Sequence, residues 1–87
     1  MEFEWDEAKR QANIAKHGID FYDAKAALEG DPMMLEDDRM DYGERRCIAA
    51  GEVKGHMLIV VFTIRDGVFR IISARKANSR ERRKYAD

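Results

Sequence analysis

The stretch that decides the fold is Met57-Leu58-Ile59-Val60-Val61-Phe62-Thr63-Ile64-Arg65-Asp66-Gly67-Val68-Phe69-Arg70-Ile71-Ile72-Ser73-Ala74-Arg75. Met57 to Ile64 is a continuous apolar run rich in β-branched residues, the pattern of a central strand buried on both faces. Asp66-Gly67 is a two-residue hairpin signal, and Val68 to Arg75 is the return strand. A loop of that length fixes a register. Arg65 falls opposite Val68, Thr63 opposite Arg70, Val61 opposite Ile72 and Ile59 opposite Ala74. The other face carries Ile64, Phe62, Val60 and Leu58 against Phe69, Ile71, Ser73 and Arg75. The second set is the more apolar and is assigned to covering helices. Arg65, Thr63 and Arg70 then lie on the open face. Strict alternation puts Arg75 on the helix side; near a strand end, twist or a bulge can swing such a residue to the rim, and Arg75 is kept as a site candidate on that ground.

Arg65 and Arg70 are diagonal neighbours in this register, about 7–8 Å apart at the backbone. Two like charges at that spacing repel unless an anion lies between them. One reading is a phosphate clamp, because arginine forks match phosphate oxygens. The plainer reading is two surface arginines, each satisfied by its own carboxylate.

Working outward, Phe3-Glu4-Trp5 alternates as a short edge strand does. Asp6 is placed to cap a helix that Gly18 ends, with Ala8, Ala12 and Ala15 as a small-residue packing stripe. Asp20 caps a second helix whose apolar stripe is Phe21, Ala24, Ala27 and Leu28, stopped by Gly30-Asp31-Pro32. Met33 to Glu36 is a weak strand, and Asp37 to Gly43 a polar loop. Arg46 to Ala50 reads as a strand, followed by a turn around Gly51 to Gly55. Asn78 with Glu81 resembles a capping box for a short terminal helix, which is marginal alone and must dock. The order is β-α-α-β-β-β-β-α. The expected fold is one α+β domain over residues 1–87. Two N-terminal helices pack on an antiparallel sheet of about four strands, with a short C-terminal helix.

The chain has 87 residues, 45% apolar and 38% charged, a globular rather than a disordered balance. The acidic start lacks the order of a secretion signal, no apolar run reaches membrane-spanning length, and the single Cys47 cannot form an internal disulfide. A cytoplasmic protein is expected. Net charge is −1, yet it is segregated: residues 1–64 carry 8 Lys/Arg and 14 Asp/Glu, and residues 65–87 carry 8 Lys/Arg and 3 Asp/Glu. Such a chain presents a basic surface to phosphates while staying near neutral overall, unless the basic helix is simply solvated. Glu36-Asp37-Asp38 with Asp41 lacks the glycine and distal glutamate of a calcium loop, and reads as solvated. There is no zinc cluster, Gly-rich phosphate loop or nucleophile elbow, and no cofactor is expected.

Several strings stand together in order: Phe3-Glu4-Trp5-Asp6-Glu7-Ala8-Lys9, Asn13-Ile14-Ala15-Lys16-His17-Gly18, Asp31-Pro32, Gly43-Glu44-Arg45-Arg46, Arg70-Ile71-Ile72-Ser73-Ala74-Arg75-Lys76-Ala77 and Arg80-Glu81-Arg82. Across essentially its whole length the chain resembles the BrnT family, the toxin half of the BrnT–BrnA type II toxin–antitoxin pair. The resemblance implies a RelE-like fold, RNA cleavage without a metal ion, and inhibition of translation and growth. It also implies a cognate antitoxin, BrnA, with a ribbon-helix-helix DNA-binding domain. Operator DNA would then be contacted only through the toxin–antitoxin complex.

Metal-free RNA cleavage needs a base for the ribose 2′-OH, cations for the phosphoryl oxygens and an acid for the leaving 5′-oxygen. Arg65, Arg70 and Arg75 are the candidates for charge stabilisation. His17, Lys16, Glu44 and Tyr85 are the acid–base candidates. His17 has the suitable imidazole, although a helix C-terminus also favours His17 and Lys16 for structural reasons alone. Glu44 is a base or merely a partner of Arg46. Lys16, Arg46, Lys76, Arg80, Arg83 and Tyr85 are candidate RNA contacts, with Tyr85 alternatively packing the last helix down. His56 is read as exposed in a turn and Trp5 as core. The competing readings are a non-catalytic nucleic-acid-binding module and a protein-interaction domain whose basic patch meets an acidic partner.

Overall fold

The computed structural model describes residues 1–37 and 46–86, so Glu44 and the acidic loop beyond Asp37 lie outside the described residues. The elements follow the expected order: β1 (Glu2–Glu4), α1 (Glu7–His17), α2 (Phe21–Glu29), β2 (Met33–Asp37), β3 (Arg46–Val53), β4 (His56–Arg65), β5 (Val68–Lys76) and α3 (Ser79–Tyr85). The strands among the described residues form one sheet in the order β1-β5-β4-β3-β2. This is a five-stranded mixed sheet rather than four antiparallel strands, because β1 runs parallel to β5 with Glu2 opposite Val68 and Glu4 opposite Arg70. Alternation identifies a strand but carries no direction. What fixes β1 here is Phe3, whose ring meets Phe69 at 5.6 Å on the helix side.

Helices α1 and α2 cover one face. α2 buries Phe21, Ala24, Ala27 and Leu28, as its periodicity requires. Beneath them lie Ala49, Leu58, Val60, Phe62, Ile71 and Ala74, with Phe69 stacked on Phe62 at 5.4 Å. Trp5 is half-buried against this core, edge-on to Phe21 and to Tyr22. α1 corrects the sequence reading. Ala8, Ala12 and Ala15 are exposed, and the packed stripe is Arg10, Asn13, Ile14 and His17. Periodicity fits both stripes. The polar one wins because Asn13 bonds the sheet backbone and Arg10 bonds Asp20 through Nε and Nη2, at 2.8 and 2.9 Å.

Caps fall where expected. Asp6 accepts from Ala8 N and Lys9 N, Gly18 takes the left-handed conformation at φ 71°, and Asp20 accepts from Tyr22 N. The turn between β3 and β4 is shorter than expected. Lys54 and Gly55 make it, with φ 53° and 81°, and Gly51 is a buried strand residue. A Cβ on Gly51 would stand 3.1 Å from both Ala27 Cβ and Ala27 O, so glycine is what lets α2 sit this close to β3. Asp66 and Gly67 have φ 53° and 78°, the two left-handed residues of a type I′ turn.

The β4–β5 register is the expected one from the turn to Phe62, which faces Ile71. It then shifts. Val61 faces Ser73, Val60 faces Ala74 and Ile59 faces Arg75, so Ile72 is the extra residue of a β-bulge. Past the bulge every side chain of β5 changes face. Arg75, which strict alternation sends under the helices, joins Ile59, Val61 and Ser73 on the open face. Thr63 and Arg70 share that face as expected, although Thr63 is only 2% exposed. α3 docks on the far end of the same face, where Ala50, Ile59 and Ala77 are buried with Ile48, Met57 and Tyr85 packed on them.

Candidate active site

The bulge builds a cleft of about 620 Å³ on the open face. Leu35, Ile48, Ile59 and Val61 supply an apolar floor, with Ser73 and Arg75 from β5. His17 comes in from the end of α1, and Glu81, Lys84 and Tyr85 from α3.

His17 reaches the cleft because α1 lies along the edge of β5 that β1 leaves uncovered. β1 pairs only as far as Arg70. At Ala74 the side chain of Asn13 takes over as the pairing partner. Its Nδ2 donates to Ala74 O at 2.8 Å and its Oδ1 accepts from Ala74 N at 3.1 Å. Nδ2 also donates to Ile19 O at 2.8 Å, and Asn13 is 6% exposed. His17 is one helical turn beyond Asn13, and Arg75 is one residue beyond Ala74. The amide therefore ties the helix end that carries His17 to the strand that carries Arg75, and both side chains line the cleft.

Arg75 is held from the other side. Its two terminal nitrogens donate to the two oxygens of Glu81 at 2.7 and 2.8 Å, the fork geometry that fixes a guanidinium plane. Glu81 Oε1 also accepts from Asn78 N at 3.0 Å, while Asn78 Oδ1 accepts from Glu81 N at 2.8 Å. The capping box read from sequence is present, and its glutamate also carries Arg75. α3 is seven residues long with no buried residue, so this cap and the packing of Tyr85 matter to its position.

The Arg75 guanidinium holds the Glu81 carboxyl down at about 2 from its ordinary 4.5. Arg10 likewise holds Asp20 at about 2 from 3.8. Both folded values lie below the unfolded ones. Each pair therefore contributes stability that is complete above about pH 5 and is lost as pH falls through the folded values. Urea midpoints measured against pH are expected to be flat from about pH 7 to 5 and to fall between about 4.5 and 2. In Glu81→Gln that fall should be smaller.

The other candidates spread over the surface. Arg65 and Arg70 sit at the hairpin end of the open face, away from the cleft. Arg70 Nη1 donates to Glu4 Oε2 at 2.6 Å, so the plainer reading of that arginine describes its contact here. Arg46 is half-buried at the start of β3, where its Cα faces that of Asp37. Lys16, Lys76, Arg80 and Arg83 are exposed and do not line the cleft, and His56 is exposed as expected. Tyr85 both packs α3 down and lines the cleft.

Sequence reasoning assigns no site role to Asn13, Glu81 or Lys84. Asn13 has a signal in hindsight, as a polar residue on a packed stripe one turn before His17. Glu81 has another, as a lone acid among Arg80, Arg82, Arg83 and Lys84. Among the described residues no three His, Cys, Asp or Glu side chains gather as metal ligands would, and no helix is long and apolar enough to cross a membrane.

A cleft with an imidazole, a fixed guanidinium, an ammonium and a phenol over an apolar floor has the groups to bind a phosphodiester and move protons at it. A family model for the ribonuclease toxin BrnT of type II toxin–antitoxin systems matches residues 5–81. A search of curated proteins finds no match to the chain. With all but the ends of the chain matched, from Trp5 just after β1 to Glu81 in α3, the protein belongs to the BrnT family of ribonuclease toxins of type II toxin–antitoxin systems.

Proposed function

We propose that the cleft beside Arg75 is the site of metal-independent endonucleolytic RNA cleavage. The observation that carries this reading is the bulge at Ile72, which brings Arg75 into the cleft that His17 lines. His17 takes the proton from a ribose 2′-OH. The 2′-oxygen bonds to the adjacent phosphorus, and Arg75 stabilises the charge on the phosphoryl oxygens. The bond from phosphorus to the 5′-oxygen breaks, and that oxygen takes a proton from the α3 wall, where Lys84 and Tyr85 stand. The products are a 2′,3′-cyclic phosphate and a 5′-hydroxyl. Glu81 orients Arg75 without touching RNA. Arg65 and Arg70 hold phosphates further along the strand, with Glu4 displaced from Arg70. Lys16, Arg46, Arg80 and Arg83 add basic surface along the same path.

Membership of a type II toxin–antitoxin family implies an antitoxin as partner. The finer reading is a BrnA-like ribbon-helix-helix protein in the cytoplasm that neutralises the toxin and carries it to operator DNA. It follows that the toxin, once free of it, arrests translation and growth. The test is digestion of RNA in EDTA with analysis of both new ends. Cleavage to a cyclic phosphate and a 5′-hydroxyl is expected. RNA left intact at high protein concentration would overturn the reading.

A further inference from the structure

On the other side of α3 from the cleft lies a smaller hollow of about 240 Å³, lined by Gly55, His56, Met57, Lys76, Ala77 and Arg82. Its basic groups come from three elements: His56 opens β4, Lys76 closes β5, and Arg82 lies within α3. The hollow is structurally fixed. Ala77 N donates to Met57 O at 2.9 Å, and Arg82 Nη1 donates to Ala77 O at 2.9 Å, which tethers the guanidinium at the wall. Among the described residues no carboxylate lines it.

This lining sets the hollow apart. Arg10, Arg70 and Arg75 each lie against a carboxylate of this chain. At the hollow, a lysine and an arginine are gathered with an imidazole N–H donor and no acid among the described lining residues. Like charges brought together in this way are stabilised by an anion from outside. Lys76 and Arg75 are consecutive on β5 and point to opposite faces, so the hollow and the cleft meet across the end of one strand.

We propose that this hollow binds a backbone phosphate of the RNA substrate, a few nucleotides from the linkage held at Arg75. The proposal rests on the ribonuclease reading of the cleft for the path of the strand. The contact itself reads shape and charge, so it adds affinity without base preference.

The test uses Lys76→Gln, which leaves the α3 tether in place, and the double variant Lys76→Gln with Arg82→Gln. Binding is measured to a non-cleavable 2′-O-methyl RNA across a salt series, and cleavage is compared on a long RNA and on a dinucleotide. The expected result is an affinity for the long RNA about tenfold weaker, with a salt slope shallower by about 0.7, the value for one phosphate no longer neutralised on a single strand. In cleavage, the loss of kcat/KM on the long RNA exceeds that on the dinucleotide by a similar factor. Unchanged affinity and slope would overturn the proposal. So would equal losses on both substrates, or intact RNA binding with weakened capture of the purified antitoxin. A wild-type protein that cleaves neither substrate while the variants still show the shallower slope sinks the nuclease reading and leaves the phosphate site standing.

Discussion

Arg75→Ala is expected to lower the rate of RNA cleavage by about 10²–10³-fold, the usual cost of removing one donor aimed at developing charge. The loss should appear in kcat more than in KM, because a contact that strengthens only as charge builds on the phosphoryl oxygens leaves ground-state binding largely intact. Arg75→Lys keeps the charge but cannot reproduce the fork held by Glu81, so it should recover only part of the rate. Glu81→Gln separates the two jobs of Glu81. A glutamine at this position still accepts from the helix N-terminus in a capping box, so α3 stays in place, while the charged fork to Arg75 is lost. Its expected rate lies between those of the wild type and Arg75→Ala. Arg70→Ala is the internal contrast. Arg70 is paired with Glu4 at the other end of the open face, so its loss should raise KM for long RNA and spare kcat. If Arg70→Ala matched Arg75→Ala in kcat, the chemistry would belong to the hairpin end and not to the cleft. Initial rates on a labelled oligonucleotide, with circular dichroism to verify folding, make the comparison.

How far the sequence carries this site is decided at Ile72. From the turn back to Phe62 the register follows from Asp66-Gly67 alone, because a two-residue loop with both residues left-handed admits one pairing. Beyond it, Ile71-Ile72-Ser73-Ala74 offers apolar or small residues at consecutive positions. The period-2 pattern there does not say which residue faces which side. The bulge is settled by tertiary contact: Ala74 packs on the helix-side core and Asn13 bonds its backbone. The same limit explains α1, whose alanine stripe fits a helix as well as the stripe that packs. Caps are legible because they are local, as Asp6, Gly18, Asp20 and Asn78 show. The parallel direction of β1 is not, because it depends on where Phe3 finds Phe69.

Asn13→Leu is expected to destabilise the protein by about 3 kcal/mol or more, since three buried backbone groups lose their partner and each such group costs about 1–3 kcal/mol. The groups are Ala74 N–H, Ala74 C=O and Ile19 C=O. For a domain of this size that is a fall in Tm of roughly 12–24 °C. Asn13→Asp is the sharper probe, because it changes one atom type and almost no volume. At neutral pH its carboxylate would face two carbonyl oxygens that now accept from Nδ2, and the loss should equal or exceed that of leucine. Acidification restores one proton and should recover part of the stability, the reverse of the wild-type acid response that Glu81 and Asp20 impose. Differential scanning calorimetry at about pH 7 and about pH 4 reads both effects. A loss under about 1 kcal/mol in both variants would mean that water replaces the amide at the β5 edge. The consequence for activity follows from position. His17 is carried on the turn after Asn13, and Arg75 on the residue after Ala74, so the amide is a direct hydrogen-bonded link between the helix that bears the imidazole and the strand that bears the guanidinium. At temperatures where Asn13→Asp remains folded, its kcat should therefore fall while its affinity for RNA holds, because the phosphate contacts survive and the proton acceptor is out of place.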